Sequence, residues 1–200
     1  MARPAGQGEH TKKRIALRAK ALFEQKGYSA ATMDEIREAA GASKGSIYYH
    51  FKSKDELFLY ILELTMLEWV NKWSTIAAPL LTATDKLYAL AEHFASDFQN
   101  PLIKAAEEFS GSEAADPDVL ARLLEITRIH YPIFRQLLED GMESGEFARM
   151  DVDELMYIVL GLMGGLGVAY YELGAERIAP LYRKSIEVLL RGIRGSGAGG

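Results

Sequence analysis

The stretch that decides the fold lies near the start of the chain, where residues 32–51 read TMDEIREAAGASKGSIYYHF. Thr32 followed three residues later by Glu35 is a capping box, a sequence signal for the start of a helix. Gly41 interrupts the helical pattern, and Ser43 can cap a second short helix. Two short helices joined by a glycine-containing turn of three or four residues predict a helix-turn-helix here.

The second of these helices has an outer face suited to a polar partner. Ile47 and Phe51 lie four residues apart and form its inner face. The other side chains are a cation, a hydroxyl, two phenols and an imidazole, whereas a solvated face without a partner favours Glu, Lys and Ala. The alternative is that the tyrosines pack in a core and that the capping residues only stabilise the ends of their helices. The predicted DNA-contacting residues are Thr32, Ser43, Lys44, Gly45, Ser46, Tyr48, Tyr49, His50 and Lys54.

These residues are expected to play different roles in a major groove. Ser46 and Tyr48 would read base edges, and Gly45 would let the backbone approach them closely. The remaining side chains would hold phosphates, together with the free amides of the capped helix N-termini.

The charge is divided unevenly along the chain, whose net charge is −5. Residues 1–54 contain 11 Lys and Arg against 5 Asp and Glu, while residues 55–200 contain 12 against 23. A basic head on an acidic body indicates an anion-binding module joined to a second module. The chain has no cysteine, which excludes disulfides, thiolate metal sites and cysteine nucleophiles. With only four histidines, no metal and no cofactor are expected.

Helical periodicity continues along the whole chain and predicts an all-α protein of about nine helices. The N-terminal residues 1–10 are predicted to be a flexible arm, and residues 195–200 a disordered tail. The uncharged run 155–171 is shorter than a typical membrane span, so we predict a buried helix and a cytoplasmic protein without a membrane segment. The predicted helices cover about 11–26, 33–39, 44–51, 54–75, 84–98, 101–109, 117–144, 152–173 and 177–193.

Aromatic residues cluster around a predicted kink in the second half of the chain. Pro132 lies inside the helix predicted over residues 117–144, where it removes one backbone hydrogen bond. Aromatic enrichment beside such a kink is typical of a mostly apolar small-molecule cavity. The alternative is a plain hydrophobic core. The predicted ligand-binding residues are Trp69, Trp73, Phe94, Phe98, Phe109, His130, Tyr131 and Phe134.

The run from about Thr11 to Phe58 resembles the DNA-binding domain of the TetR family of transcriptional repressors. The resemblance implies a domain over residues 11–58, with its helix-turn-helix at about 33–51, and a ligand-binding and dimerisation domain over 59–194. The matching features are Ala21-x-Phe23, Gly27-Tyr28, Thr32-Met33-Asp34-Glu35-Ile36, Ala39-Ala40-Gly41-Ala42-Ser43-Lys44-Gly45, Ile47-Tyr48-x-x-Phe51 and Lys54-x-Glu56-Leu57.

Within that family the chain is most similar to the QacR-type multidrug-binding repressors. The two tryptophans four residues apart belong to this likeness. The acidic pocket described for QacR-type proteins does not carry over, because Thr65 and Met66 stand where adjacent glutamates are expected. Thr127 and His130 likewise replace an acidic and an aromatic position. A preference for cationic ligands is therefore not predicted.

The resemblance implies a homodimeric repressor that binds a pseudo-palindromic double-stranded DNA operator and is released by a hydrophobic or aromatic small molecule. Two helices would pair with their copies in the dimer, although their small and apolar residues can equally pack inside one subunit. The alternatives in function are a constitutive architectural DNA-binding protein and an enzyme that uses the body cavity. The enzyme alternative lacks a nucleophile–base pair in the sequence. The predicted dimer residues are Gly161, Gly165, Ile186, Leu189 and Leu190.

Overall fold

The computed structural model describes residues 5–97, 100–112 and 117–193, and these fold almost entirely into α-helices. The all-α prediction is confirmed. The eleven helices of the described chain are α1 (Ala5–Lys26), α2 (Met33–Ala39), α3 (Lys44–His50), α4 (Lys54–Ala77), α5 (Ala83–Asp97), α6 (Leu102–Ser112), α7 (Pro117–Thr127), α8 (Tyr131–Glu143), α9 (Val152–Leu166), α10 (Val168–Leu173) and α11 (Ala175–Ile193).

The predicted helix-turn-helix is α2 and α3. The capping box is present, because the Thr32 side chain accepts from the Glu35 amide and Glu35 accepts from the Thr32 amide. Gly41 has a φ of 56°, a left-handed conformation that ends α2 and that glycine adopts without strain. The hydroxyl oxygen of Ser43 accepts from the amide of Ser46 at 3.1 Å and caps α3.

The N-terminal helix is longer than predicted. We expected a flexible arm over residues 1–10, yet α1 begins at Ala5. That prediction is wrong for residues 5–10, because extending an existing helix requires no new nucleus and the two glycines of this segment cost only about 1 kcal/mol each. The hydroxyl of Tyr60 donates to the Glu9 carboxylate at 3.3 Å, which gives the extension a tertiary partner. Residues 1–4 lie outside the described part.

The kinked helix predicted over residues 117–144 is two helices, α7 and α8. A turn at residues 128–130 separates them, and Pro132 lies in the first turn of α8. In that position the missing amide of proline is harmless, since the first amides of a helix have no intrahelical partner. Ending one helix and starting another therefore avoids the cost of an interior proline.

The helix predicted over residues 152–173 is also divided, at Gly167. The amide of Gly167 donates to the carbonyl of Gly164 at 3.1 Å, an i→i−3 bond that marks a short tight turn. Gly174 then ends α10 with a φ of 76°. Because α11 begins at Ala175, two residues before the predicted start at 177, Pro180 lies in its second turn.

The loop expected at residues 110–116 starts later than predicted, because α6 continues to Ser112. A single glycine, Gly111, is tolerated near a helix end at about 1 kcal/mol. Residues 113–116, the predicted disordered tail 195–200 and the side chain of Phe98 lie outside the described residues.

The chain divides into two compact units. We call residues 1–68 and 101–128 the head unit, and residues 69–100 and 129–200 the body unit. The helices α6 and α7, predicted to belong to the ligand-binding domain, are thus part of the head unit. In the body unit, Phe147 folds back so that its amide donates to the carbonyl of Gly141 at 2.8 Å. Its ring lies where a Cβ on Gly141 would stand.

Candidate DNA-contact surface and aromatic cluster

The outer face of α3 is exposed, and its inner face is buried. Ile47 and Phe51 are buried in the head unit. Tyr48 and Tyr49 are 45% and 83% exposed, which contradicts the alternative in which they pack in a core. Ser43, Lys44 and Gly45 are exposed, while Ser46 and His50 are half-buried.

The N-terminus of α3 suits an anion better than that of α2. Ser43 caps α3, and no acidic residue lies in its first turn. In α2, by contrast, the Glu35 carboxylate occupies the amide and hydroxyl of Thr32 at 3.0 and 3.1 Å. Hydrogen bonds from Lys26 and then from Thr32 lower the pKa of Glu35, so this carboxylate stays ionised near neutral pH. A phosphate at Thr32 would meet that negative charge.

Lys54 points into the head unit. Its ammonium donates to the carbonyls of Tyr28 at 3.0 Å and Ala31 at 3.2 Å. It also lies over the Tyr28 ring, 4.2 Å from the ring centre. This geometry assigns Lys54 to fixing the turn between α1 and α2, and not to the phosphate contact that the sequence predicts.

Phe109 lies in the core of the head unit and is not part of the aromatic cluster predicted for ligand binding. Its ring contacts those of Tyr28 and Phe58, with centroids 4.8 and 5.0 Å apart. The preceding residue, Glu108, accepts from the amide of Ser29 at 3.1 Å. The reason is that α6 packs against α1, which the helical pattern of α6 alone does not reveal.

The other described aromatic residues of the predicted cavity lie together in the body unit. The imidazole of His130 is their centre. Edge-to-face contacts join it to Trp69 at 5.8 Å, Phe94 at 6.3 Å, Tyr131 at 5.3 Å and Phe134 at 5.5 Å. We call these five residues together with Trp73 and His93 the aromatic cluster.

His93 is a member of this cluster that the sequence reasoning missed. Its ring stacks on those of Trp69 and Trp73, with centroids 4.3 and 6.3 Å apart. Its Nε2 lies 3.1 Å from the Trp69 carbonyl. No group of three potential metal ligands occurs among the described residues.

Burial keeps both imidazoles of the cluster uncharged near neutral pH. It lowers the pKa of His130 to about 4. Burial also lowers the pKa of His93, against a smaller opposing effect of its hydrogen bond to Trp69. The cluster therefore presents aromatic surface without a formal charge on either histidine.

A surface groove of about 380 Å³ reaches the cluster at Trp73. Its rim includes Lys86 and Asp140, whose charged atoms lie 3.9 Å apart. Its walls mix apolar side chains and polar groups from three helices. The other lining residues are Ser74, Ala77, Pro132, Ile133, Gln136 and Leu137.

The residues predicted for dimerisation separate into exposed and buried sets. Gly161 and Gly165 are exposed, and a Cβ at either would meet no atom of the same chain within 4 Å. Ile186 and Leu190 are buried in the core of the body unit, so their prediction as interface residues is wrong. An amphipathic helix buries one apolar face, and in α11 these two residues belong to that face. Leu189 is half-buried against the same core.

The predicted burial of the uncharged helical segment is confined to one face. Residues Val152–Leu173 are long and apolar enough to cross a membrane by length and composition alone, and 28% of the most apolar stretch is buried. Tyr157, Ile158, Val168 and Tyr171 are exposed. We call these four residues with Gly161 and Gly165 the apolar outer face.

Two family models match this chain. The model described as "Bacterial regulatory proteins, tetR family" matches residues 15–61, and "QacR-like protein, C-terminal region" matches residues 65–195. The chain belongs to the TetR family. The TetR-family resemblance, the N-terminal helix-turn-helix and the helical C-terminal domain predicted from the sequence are confirmed. This TetR-family protein is a DNA-binding transcription regulator.

Relatives of this TetR-family protein match over most of their length. The transcriptional regulator QacR of Staphylococcus aureus is 27% identical over 176 residues, which are 88% of this chain and 94% of QacR. The transcriptional repressor KstR2 of Mycolicibacterium smegmatis is 28% identical over 187 residues, 86% of this chain and 85% of KstR2. These relatives are transcriptional regulators, not enzymes.

Solved structures of other TetR-like regulators share the fold. FadR of Bacillus subtilis in complex with stearoyl-CoA has a TM-score of 0.76 and 19% identity, covering 91% of this chain and 99% of FadR. A regulator of Saccharomonospora viridis in complex with choline has a TM-score of 0.75 and 19% identity, covering 93% and 98% of the two chains. At these identities the likeness shows the fold alone.

Proposed function

We propose that this protein is a cytoplasmic repressor that binds a pseudo-palindromic DNA operator as a homodimer and leaves it when a hydrophobic or aromatic small molecule occupies the body unit. The observation that carries the proposal is the outer face of α3. Exposed phenols and hydroxyls sit there on a helix whose inner face is buried and whose N-terminus holds no acid. Such a helix is suited to entering a major groove.

The proposed DNA contacts follow the geometry of α3. Tyr48 and Ser46 read base edges, and Gly45 allows close approach of the backbone. Tyr49, His50 and Lys44 hold phosphates, as does the N-terminus capped by Ser43. Two copies of α3 would enter successive major grooves about 34–36 Å apart. Thr32 contributes less, because Glu35 already occupies its polar atoms.

The proposed dimer uses the apolar outer face, whose four large side chains are 58–67% exposed. Gly161 and Gly165 let a second helix approach closely, since neither carries a Cβ. Val188 of α11, 60% exposed, extends the apolar surface. Association of two such faces would bury apolar area at about 25 cal/mol per Å². We keep the domain limits 11–58 and 59–194 as part of this proposal.

The proposed effector site is the aromatic cluster with the groove beside Trp73. Trp69, within α4, is the first residue of the body unit. The chain returns to the body unit at residue 129, and His130 is the next residue. These residues contact each other within the body unit, so a ligand that separates their rings acts on α4 and on the turn before α8. Release requires that the ligand bind the DNA-free arrangement more tightly, by about 5.5 kcal/mol for a shift from 1:99 to 99:1.

One experiment tests DNA recognition. Duplexes selected by the protein from a random library should share an inverted repeat. Tyr48→Ala should bind the selected duplex and a scrambled duplex with nearly equal affinity, whereas Leu81→Ala, at a position that is 94% exposed and outside the proposed sites, should keep the discrimination of the parent. Selection of no common sequence, or full discrimination by Tyr48→Ala, would contradict the proposal.

A second experiment tests the effector. Naphthalene, dodecanol, choline and stearoyl-CoA serve as probes of different charge and shape. An effector should change tryptophan emission and release the duplex over one concentration range, and Trp69→Phe should shift both curves together. Release of the duplex without any change in emission would place the effector site elsewhere. If none of a broader panel releases DNA, a constitutive architectural protein fits better.

A further inference from the structure

One outer face of α1 in the head unit is strongly basic. Its side chains recur at spacings of three and four residues, which places them on one side of a helix. They border a groove of about 540 Å³. We call these residues the α1 basic face: His10, Lys13, Arg14, Leu17 and Arg18.

The fold does not use the cations of this face. The opposite side of α1 packs into the core of the head unit through Ile15, Ala19 and Phe23. Within the described chain, Lys13, Arg14 and Arg18 have no acidic group within 4 Å and no side-chain hydrogen bond. Like charges at positions i and i+4, such as those of Arg14 and Arg18, are destabilising unless an external anion compensates them.

Other lysines of the same helix show the contrast. Lys12 lies over the ring of Tyr60, 4.2 Å from its centre. Lys20 pairs with Glu68 at 3.7 Å. The cations without a partner are therefore gathered on one face, and they are not spread around the helix as solubilising charges would be.

We infer that the α1 basic face binds the phosphodiester backbone of duplex DNA and adds a sequence-independent contact to the one made by α3. This inference rests on the proposed function. His10, Arg14 and Arg18 form a row with steps of about 6 Å along the helix, so successive side chains can engage successive phosphates of one strand. Guanidinium groups suit phosphate oxygens because they donate two parallel hydrogen bonds.

The chemistry of the face determines what it contributes. Its lysine and arginine donors are cationic, and Leu17 at its centre, 63% exposed, has no side-chain donor or acceptor. The face therefore strengthens binding without reading base edges. Duplexes of different sequence should lose affinity by the same factor when the cations are removed.

The test compares the parent dimer with the variant Lys13→Ala/Arg14→Ala/Arg18→Ala. The probes are a duplex of about 30 base pairs selected by the parent and a scrambled duplex of the same length. Loss of three phosphate contacts in each subunit of the dimer should reduce the slope of log affinity against log salt by about 5.4. Between 50 and 200 mM salt the parent should then lose roughly 2,000-fold more affinity than the variant. The ratio of affinities for the two duplexes should stay that of the parent.

Two control variants isolate the effect. Lys72→Ala/Arg149→Ala/Arg177→Ala removes the same charge from exposed sites of the body unit and should leave the salt slope unchanged. Leu120→Ala, at an exposed position of α7 in the head unit, should leave both slope and affinity unchanged. Circular dichroism verifies helix content, and if the alanine triple variant does not fold, the corresponding glutamine triple variant replaces it.

The outcomes distinguish this inference from the proposed function. If the parent binds neither duplex, both fail. If the parent discriminates the selected duplex and the triple variant has the same salt slope, the inference on the α1 basic face is overturned while the proposed function stands. A third probe is a vesicle of phosphatidylglycerol. The inference is likewise overturned if the triple variant loses affinity for these vesicles but keeps the affinity of the parent for both duplexes. It is also overturned if the body-unit control reproduces the loss of slope.

Discussion

We expect Lys54→Ala to lower the stability of the head unit while leaving the salt dependence of DNA binding unchanged. The ammonium of Lys54 donates to the carbonyls of Tyr28 and Ala31, and both residues are buried. Its ammonium also lies over the Tyr28 ring. Removing it leaves two carbonyls without their donor and loosens the turn between α1 and α2.

The magnitude follows from these contacts. A hydrogen bond from a charged donor contributes about 1.5–3 kcal/mol, and a cation–π contact at a partly exposed site about 0.5–1 kcal/mol. Because Lys54 is half-buried, the lower ends apply, and the loss of two hydrogen bonds and one cation–π contact should cost about 3.5 kcal/mol. For a chain of this size that corresponds to a fall in Tm of roughly 7–14 °C.

Thermal unfolding and DNA titration at several salt concentrations measure the two effects separately. The matched variant is Lys44→Ala, which removes an exposed lysine at the start of α3. It should keep the Tm of the parent and reduce the salt slope by about 1.8, the value for one phosphate contact in each subunit of the dimer. The reasoning is refuted if Lys54→Ala melts with the parent and loses about 1.8 in slope, since Lys54 would then contact phosphate as the sequence predicts.

Three further perturbations test the body unit. Gly141→Ala should destabilise the protein by about 1–3 kcal/mol in urea unfolding, because the new methyl group meets the ring of Phe147, whereas Gly192→Ala in open space should stabilise it by up to about 1 kcal/mol. His130, with its pKa depressed from 6.5 to about 4, stabilises the fold fully above pH 6.5 and loses that contribution as the pH falls toward 4. Relative to His130→Phe, the parent should therefore lose up to about 3 kcal/mol between pH 7 and pH 4, and equal losses would show that His130 titrates normally. Gly165→Leu should shift the dimer toward monomer in light scattering; a clean dimer would place the interface elsewhere.

The DNA-contacting helices could be predicted from the sequence because their signals are local. A capping box involves Thr32 and Glu35, three residues apart, and the stop at Gly41 depends only on the conformational freedom of glycine. The inner positions Ile47 and Phe51 follow from helical spacing. None of these features depends on which distant segment packs nearby.

The errors arise where tertiary packing decides the role of a side chain. The sequence cannot show that Lys54 turns toward carbonyls more than twenty residues earlier, or that α6 carries Phe109 into the head unit. Helical spacing likewise identifies an apolar face on α11 but not its partner. The sequence therefore predicts Ile186 in a dimer interface, whereas the residue packs inside its own subunit. Pro132 predicts that the helical hydrogen bonding is interrupted near this residue. The sequence does not show whether the helix kinks or ends there, because both have the same signal.

The uneven charge of the chain gives the proposed DNA contact a direction. Residues 55–200 carry an excess of 11 acidic side chains, so most of the surface repels phosphate, while residues 1–54 carry an excess of 6 basic ones. Complementary charge of this kind steers a protein during its approach and disfavours wrong orientations. Salt screens exposed charges beyond about 8–10 Å at 0.1–0.15 M, so the orienting effect acts only close to the duplex. In the proposed arrangement, the cations of α1 and α3 would turn the head unit toward the DNA, and the exposed phenols of α3 would select the sequence that is bound.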